Sequence, residues 1–589
     1  MTNKAIAYCC LLLADDDVTV TNENLQAALQ AANIKVDSFM TTIYAQALGS
    51  INTKQLIGMF AGAVGSAGAA VAAGNAGGDT ATADSGKAVV VPDGPRFSEP
   101  KLQEIQKWKD LDAFSEAIDT GQPRISHRWV CTEKTVGSGL HLKARLCARG
   151  FEENTYELRK DSPTCQKESL RMVLCIVAAK QWELSSVDIK SAFLQGVPID
   201  RELYMQPPKE ANTDKIWLLK RCPYGLVDAG RQWFIRVKEE LKRLCGKQMQ
   251  QDQALFVWHD QGEISGVMII HVDDFVYGGN DKFKSDVIGQ FRKIFHIGSE
   301  QATCMRYIGV NVNQDHDGIL LSTDKYCSNL TEIDTTNIGR DNKRPLTEKE
   351  VTKLRQVSGQ INWAVTQSRP DCGFDNCVVQ NSIKKATVAD IMRANKAVRK
   401  VKSQPVSLYF PSDFDLKSTR IVTFTDASHA NLPDRGSQGA YVSFIIDKKG
   451  SYSVLGWKSK KIKRVVNNTL AAECLAAVEA SEASIAMSTL LTEMLLPKEA
   501  IPISILCDSK NLVDSIHSST PVESKRLQID VGILRCDIEQ GSINEIRWIQ
   551  NGIQAANCLT KNGGSSTYLL DILRLGKNMK FSFHDGCFR

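Results

Sequence analysis

The sequence predicts a multidomain α+β protein in three parts. These are a small all-α N-terminal domain, a long body in which strands and helices mix, and a C-terminal α/β domain. Three observations carry that expectation. At 589 residues the chain is too long for one compact domain. A charge-free tract rich in Ala and Gly interrupts it after residue 60. Residues 418–562 read as three strands, a long helix, a strand, a helical stretch, a strand and a last turn or helix. A composition of 43% hydrophobic and 24% charged residues suits a soluble globular protein and excludes a coiled coil, a collagen-like chain or a mostly disordered one.

Residues 1–60 read as short amphipathic helices. Thr21 can cap a helix carrying Leu25, Ala28, Leu29 and Ala32, and Asp37 can cap one carrying Phe39, Ile43 and Ala47. Asn52 precedes a third, with Leu56, Ile57 and Phe60. So small a unit buries little surface alone, which argues for a partner. The following Ala/Gly tract is long enough to span a bilayer, but Ala and Gly gain little transfer energy, so a hinge is expected and no membrane span. The opening MTNKAIAYCCLLLADDD lacks a small-residue cleavage site, and no signal peptide is expected.

Seventeen cysteines form no CxxC pair and no zinc-finger spacing, which argues against a structural zinc site. An odd count without a secretory signal points to reduced thiols and a cytoplasmic setting, with the nucleus as the alternative. Residues 1–95 hold 4 Lys and Arg against 8 Asp and Glu, so the rest of this +5 chain is the basic part. A basic body suits nucleic-acid contact.

Two groups of acidic residues stand out. Asp273 and Asp274 sit between the apolar runs VMIIHV and FVY, as if at the turn of a hairpin, and Asp188 lies upstream in SSVDIKSAFLQG. Adjacent carboxylates at the tip of buried strands repel each other and lose solvation unless cations neutralise them. Magnesium suits such a site because it takes carboxylate oxygens together with substrate phosphates, and manganese is the alternative ion. Two ions about 4 Å apart would activate a primer hydroxyl and stabilise the leaving pyrophosphate. The second group is Asp426, at the end of the strand IVTFTDAS, Glu473, early in the long helix, and Asp508, at the end of ISILCDS. Strand ends and a helix can bring three carboxylates into one hard-oxygen metal site.

Ordered motifs from about residue 127 to 400 carry a family resemblance: RWVCTEKTV, KARLCARGF, SVDIKSAFLQG, ELYMQPP, LLKRCPYGLVDAGRQW, HVDD, RYIGV and INWAVTQSRPD. This stretch resembles the reverse transcriptase of copia-type retrotransposons. The resemblance implies a right-hand polymerase of fingers, palm and thumb, with Asp188, Asp273 and Asp274 as its catalytic and metal-binding carboxylates. It implies an RNA template, a DNA primer, an RNA–DNA hybrid and deoxynucleoside triphosphates as partners. Lys143, Arg145 and Arg149 would then bind the triphosphate, since a strand through these odd-numbered positions aims all three to one face. Phe193 would pack on the sugar and exclude a 2′-hydroxyl, and Tyr224 and Gly225 would form the turn near the templating base. His271 stands where the family usually has Tyr, and Asp228 and Gly230 where it usually has Gln and Pro.

The motifs TDASHA, GWKSKK, TLAAECLA, CDSKNL and AANCLTK resemble the ribonuclease H domain that follows copia-type polymerases. Asp426, Glu473 and Asp508 are then its catalytic and metal ligands. Asn557 replaces the usual fourth aspartate, and weaker binding of one ion is expected. Residues 1–60 resemble the N-terminal domain of the eukaryotic acidic ribosomal stalk protein, which implies a sister stalk protein or the ribosomal stalk base as partner.

The expected domains are therefore 1–62 (stalk-like), 63–100 (hinge and linker), 101–345 (fingers and palm), 346–412 (thumb and connection), 418–562 (ribonuclease H-like) and 563–589 (C-terminal tail). The expected function is RNA-directed DNA polymerisation with an appended, weakened ribonuclease H. The alternatives are a stalk-like, ribosome-binding protein fused to a decayed retroelement body, and a gene-model fusion.

Overall fold

The computed structural model describes residues 23–24, 26–27, 89–136, 139–336, 341–520, 522–574, 576 and 578–589. The chain divides into two units, Met1–Gly78 and Asp79–Arg589. In the first, residues 23–24 and 26–27 are helical. The other expectations for residues 1–62, and the Ala/Gly hinge, lie outside the described residues.

In the second unit, β1 (His127–Val136) and β2 (Gly139–Ala148) form a long antiparallel hairpin, packed beside helix α1 (Ser98–Asp110). Helix α2 (Lys167–Ala179) leads to β3 (Ser185–Ile189), and helix α3 (Ala229–Arg243) leads to β4 (Lys247–Gln248), β5 (Leu255–Asp260), β6 (Glu263–His271), β7 (Asp274–Gly279) and β8 (Ile297–Ala302). These strands form an antiparallel sheet in the order β8-β3-β7-β6-β5-β4. Its central strand β6 is apolar on both faces because both are covered. Val267 and Ile269 join the core under α2, whereas Met268 and Ile270 join the one under α3 with Trp233, Val237 and Leu241.

A second sheet holds β9 (Cys304–Tyr307), β10 (Val310–Gln314), β11 (Gly318–Ser322) and β12 (Ser407–Pro411), in that order. Helices α4 (Glu348–Gln367), α5 (Gly373–Ser382) and α6 (Val388–Ser403) form an excursion between β11 and β12. Thr347 with Glu350, and Thr387 with Asp390, close capping boxes that fix where α4 and α6 begin.

The third sheet runs β15-β14-β13-β16-β17, from β13 (Arg420–Ser428), β14 (Gln438–Ile446), β15 (Tyr452–Lys461), β16 (Ile503–Cys507) and β17 (Glu545–Trp548). β13 to β15 are antiparallel, and β16 and β17 run parallel to β13. Helix α7 (Thr469–Leu495) lies on β13 and β14, where Ala472, Ala477 and Ala480 allow close approach. Among the described residues it is the one helix long and apolar enough to cross a bilayer, and over half of that apolar window is buried against the sheet and its neighbours.

Three boundaries differ from the sequence reading. The segment read as linker to residue 100 is already built into the body, since Val89–Val91 pair with Glu133–Cys131 of β1 and α1 begins at Ser98. β12, read as part of the thumb and connection, pairs with β11 of the body. Residues 563–589, read as a C-terminal tail, are part of the core: Leu569, Leu570 and Ile572 of helix α8 (Thr567–Arg574), with Phe588, complete the same core as α2 and β13.

Candidate active sites

The turn between β6 and β7 is Val272–Asp273, closed by the pair His271 and Asp274. Val272 takes φ +61°, a left-handed conformation that β-branched residues avoid. The Trp233 indole donates to the Val272 carbonyl at 2.6 Å and helps hold it there. Asp274 faces Asp188 directly across β7 and β3, and the Ile189 amide donates to the Asp273 carbonyl at 3.0 Å. The sheet thus brings the three aspartates to one end.

On the other side of Asp188, a bulge between Ile297 and Ser299 places Gly298 in β8. A Cβ there would lie 2.4 Å from Asp188 Oδ2, so glycine is what leaves room for the carboxylate.

Burial, with the charges of Asp273 and Asp188 added, pushes the Asp274 carboxyl up to about 8. Burial also raises Asp273, while Arg145 and Lys143 pull it back. Buried carboxylates that repel one another are a place for cations, so the residues fit divalent ions.

Lys143 and Arg145 share a face of β2, as alternation requires. Arg149 does not: β2 ends at Ala148, and Arg149 turns away to pair with Glu152 at 3.8 Å. The alternation argument fails there because the strand ends one residue before Arg149. The Arg145 guanidinium lies 5.5 Å over the Tyr224 ring, whose centroid is 4.9 Å from that of Phe193. Gly225 takes φ +101°, and a Cβ there would meet the Ala148 carbonyl at 2.0 Å. The Ala148 amide donates to the Tyr224 carbonyl at 2.8 Å, so this turn is docked on the end of β2.

The departures at positions 271 and 228 have structural consequences. His271 Nδ1 is buried without a hydrogen-bond partner, and burial holds the ring below its usual pKa. Asp228 is buried and accepts from Arg201 at 2.9 and 3.1 Å, while Arg201 also binds Glu153.

In the third sheet, Asp426 lies within β13, Asp508 just beyond β16, and Glu473 in the first turns of α7, whose Asn468 caps the Ala471 amide at 2.8 Å. Each offers an oxygen within 4.8 Å of the others. Asp426 Oδ1 and Glu473 Oε2 are buried with no hydrogen-bond partner. Burial, reinforced by Asp426 and Asp508, pushes Glu473 up to about 9. Burial raises Asp426 to about 6, against the pull of Lys561 and the Thr560 hydroxyl, which donates to Asp426 Oδ2. These orphaned oxygens fit a divalent ion.

Asn557 does not present its amide oxygen to this site: Oδ1 accepts from Lys561 at 2.8 Å, and Nδ2 donates to Asn551. Trp233, Gly298, Thr560 and Lys561 had no assigned role in the sequence reading. Trp233 and the Thr560–Lys561 pair lie inside the motifs RQW and LTK, the one signal that could have drawn attention to them.

Residues 117–344 match the family model for reverse transcriptase (RNA-dependent DNA polymerase). The chain is similar to Pol polyproteins of copia-type retrotransposons. It is 23% identical over 461 residues to the retrovirus-related Pol polyprotein from transposon RE1 of Arabidopsis thaliana, covering 74% of this chain and 30% of that protein. It is 24% identical over 478 residues to that from transposon TNT 1-94 of Nicotiana tabacum, covering 75% and 35%. The chain thus spans about a third of the length of these curated relatives. A solved foamy viral protease-reverse transcriptase in complex with ds DNA aligns with a TM-score of 0.48 at 13% identity, over 81% of this chain and 73% of that one.

Proposed function

We propose that the chain is an RNA-directed DNA polymerase of a copia-type retroelement, with a nuclease of the ribonuclease H kind in its third sheet. The observation that carries this reading is the cross-strand pair of Asp188 and Asp274, with Asp273 at the adjoining turn. Magnesium ions, when bound, would neutralise these carboxylates, lower the pKa of a primer 3′-hydroxyl and balance charge on the leaving pyrophosphate. Asp188 and Asp273 would hold them, with Asp274 adding charge. Arg145 and Lys143 bring positive charge toward Asp273, where the triphosphate of an incoming deoxynucleotide would lie. Phe193, packed on Tyr224, is a rigid wall on which a deoxyribose can rest and against which a 2′-hydroxyl would clash.

Asp426, Glu473 and Asp508 would hold the ion for cleavage of RNA in an RNA–DNA hybrid. The partners are then an RNA template, a DNA primer, the hybrid and deoxynucleoside triphosphates. A sister stalk protein or the stalk base is the proposed partner of residues 1–62.

The test is extension of a DNA primer on an RNA template with magnesium. Asp273→Asn with Asp274→Asn is expected to reduce extension to background, roughly a thousand-fold or more. Extension at the wild-type rate in that variant defeats the assignment.

A further inference from the structure

We propose that Lys561 is a built-in cation of the third-sheet site. Its ammonium fills the place beside Asn557, so that Asp426, Glu473 and Asp508 hold a single divalent ion rather than two. The proposal rests on the nuclease reading above and deepens it.

Lys561 Nζ donates to Asn557 Oδ1 at 2.8 Å and lies 3.7 Å from Asp426 Oδ1. The ammonium thus donates to the amide oxygen and lies at ion-pair distance from the carboxylate, supplying positive charge at this edge of the site. This placement is built in from several sides. Asn557 Nδ2 donates to Asn551 Oδ1 at 3.1 Å, which turns the amide so that its oxygen faces Lys561. Thr560, fully buried, donates its hydroxyl to Asp426 Oδ2, and its carbonyl accepts from Ser428 at 2.7 Å. Gln554 anchors the same segment by donating to the Thr425 carbonyl at 2.9 Å. Residues 554–561 are thereby fastened to β13, which places the Lys561 backbone beside Asp426.

Asp426, Glu473 and Asp508 offer oxygens within 4.8 Å of one another, and of these Asp426 Oδ1, despite its ion pair with Lys561, and Glu473 Oε2 are buried without a hydrogen-bond partner. Charge points the same way. Three ionised carboxylates are balanced by one ammonium and one divalent ion, whereas a second divalent ion would meet only the neutral Asn557 amide and the Lys561 charge. An aspartate at 557 would add the charge that a second divalent ion needs.

The measurement is the number of Mn2+ ions bound by the full chain, counted by electron paramagnetic resonance. Asp273→Asn and Asp274→Asn are present throughout to silence the palm. The ions belonging to the third sheet are those lost on adding Asp426→Asn with Glu473→Gln. One such ion is expected with Lys561 in place, and one with Lys561→Arg, which keeps the charge. Two are expected when Lys561→Met is combined with Asn557→Asp. Thermal melting checks that each variant is folded. Two ions with Lys561 present, or one in the Lys561→Met, Asn557→Asp variant, overturn the proposal. If Asp426→Asn with Glu473→Gln removes no bound Mn2+, the nuclease reading itself falls, and the Lys561 proposal falls with it.

Discussion

Three carboxyls make the folded chain sensitive to pH in the absence of divalent ions. Asp274, Glu473 and Asp426 hold their protons up to about 8, 9 and 6, whereas unfolding returns them to ordinary values of 3.8 to 4.5. Between those limits the folded chain binds more protons than the unfolded one, so stability falls as pH rises. In chelator, Tm is expected to decline between about pH 5 and pH 8. Asp274→Asn and Glu473→Gln should each flatten that slope, and added magnesium should raise Tm most at the alkaline end. A Tm that climbs across this range in chelator contradicts the assignment. Asp273 and Asp274 were legible in the sequence because apolar runs flank them on both sides. Gly298 was not, because its significance is a register: only after β8 pairs with β3 does its missing Cβ become space beside Asp188.

The hairpin of β6 and β7 is an element whose shape the sequence foreshadows and whose support it hides. The unbroken apolar runs in VMIIHV and FVY, buried on both faces, specify the two strands and leave the aspartates at the turn. The unfavourable φ of Val272 is held from outside, by a tryptophan on α3, thirty-nine positions away in the chain. Sequence periodicity sees such an indole as core, and its hydrogen bond to a turn carbonyl appears only once α3 lies on the sheet. Trp233→Phe keeps most of the packing on Phe275 and Phe295 and removes the bond alone. It is expected to cost about 1 kcal/mol in denaturant unfolding and to lower the extension rate several-fold, with primer–template affinity little changed. Affinity falling as far as the rate would mean the indole supports nucleic-acid binding rather than the turn. Arg149 marks the opposite error at this scale, where strand alternation was carried one residue past the end of β2.

Across the whole second unit, the polymerase part and the C-terminal sheet share one continuous core. Helix α2 is its joint: every residue from Ser169 to Ala178 is buried, so no face is left for solvent. Sequence motifs do not show which neighbours bury a helix, and the domain boundaries drawn from motifs therefore cut through the core. The fully buried cation of this helix, Arg171, identifies what it joins. The buried Arg171 donates to the Leu455 carbonyl at 2.8 Å on the C-terminal sheet, and to Thr366 and Gln367 at 2.9 and 3.1 Å at the end of α4. Its guanidinium also stacks 3.9 Å from the Trp457 ring. Burial alone pulls its pKa down to about 10, so it remains charged at neutral pH, and three carbonyls depend on it. Arg171→Met keeps the apolar stem and orphans those carbonyls, at an expected cost of about 3–5 kcal/mol. Because the helix belongs to both parts, hydrogen exchange should accelerate together in β6 of the first sheet and β14 of the C-terminal sheet. Faster exchange confined to one of the two would mean they unfold as separate domains, and that the shared core is contact without cooperativity.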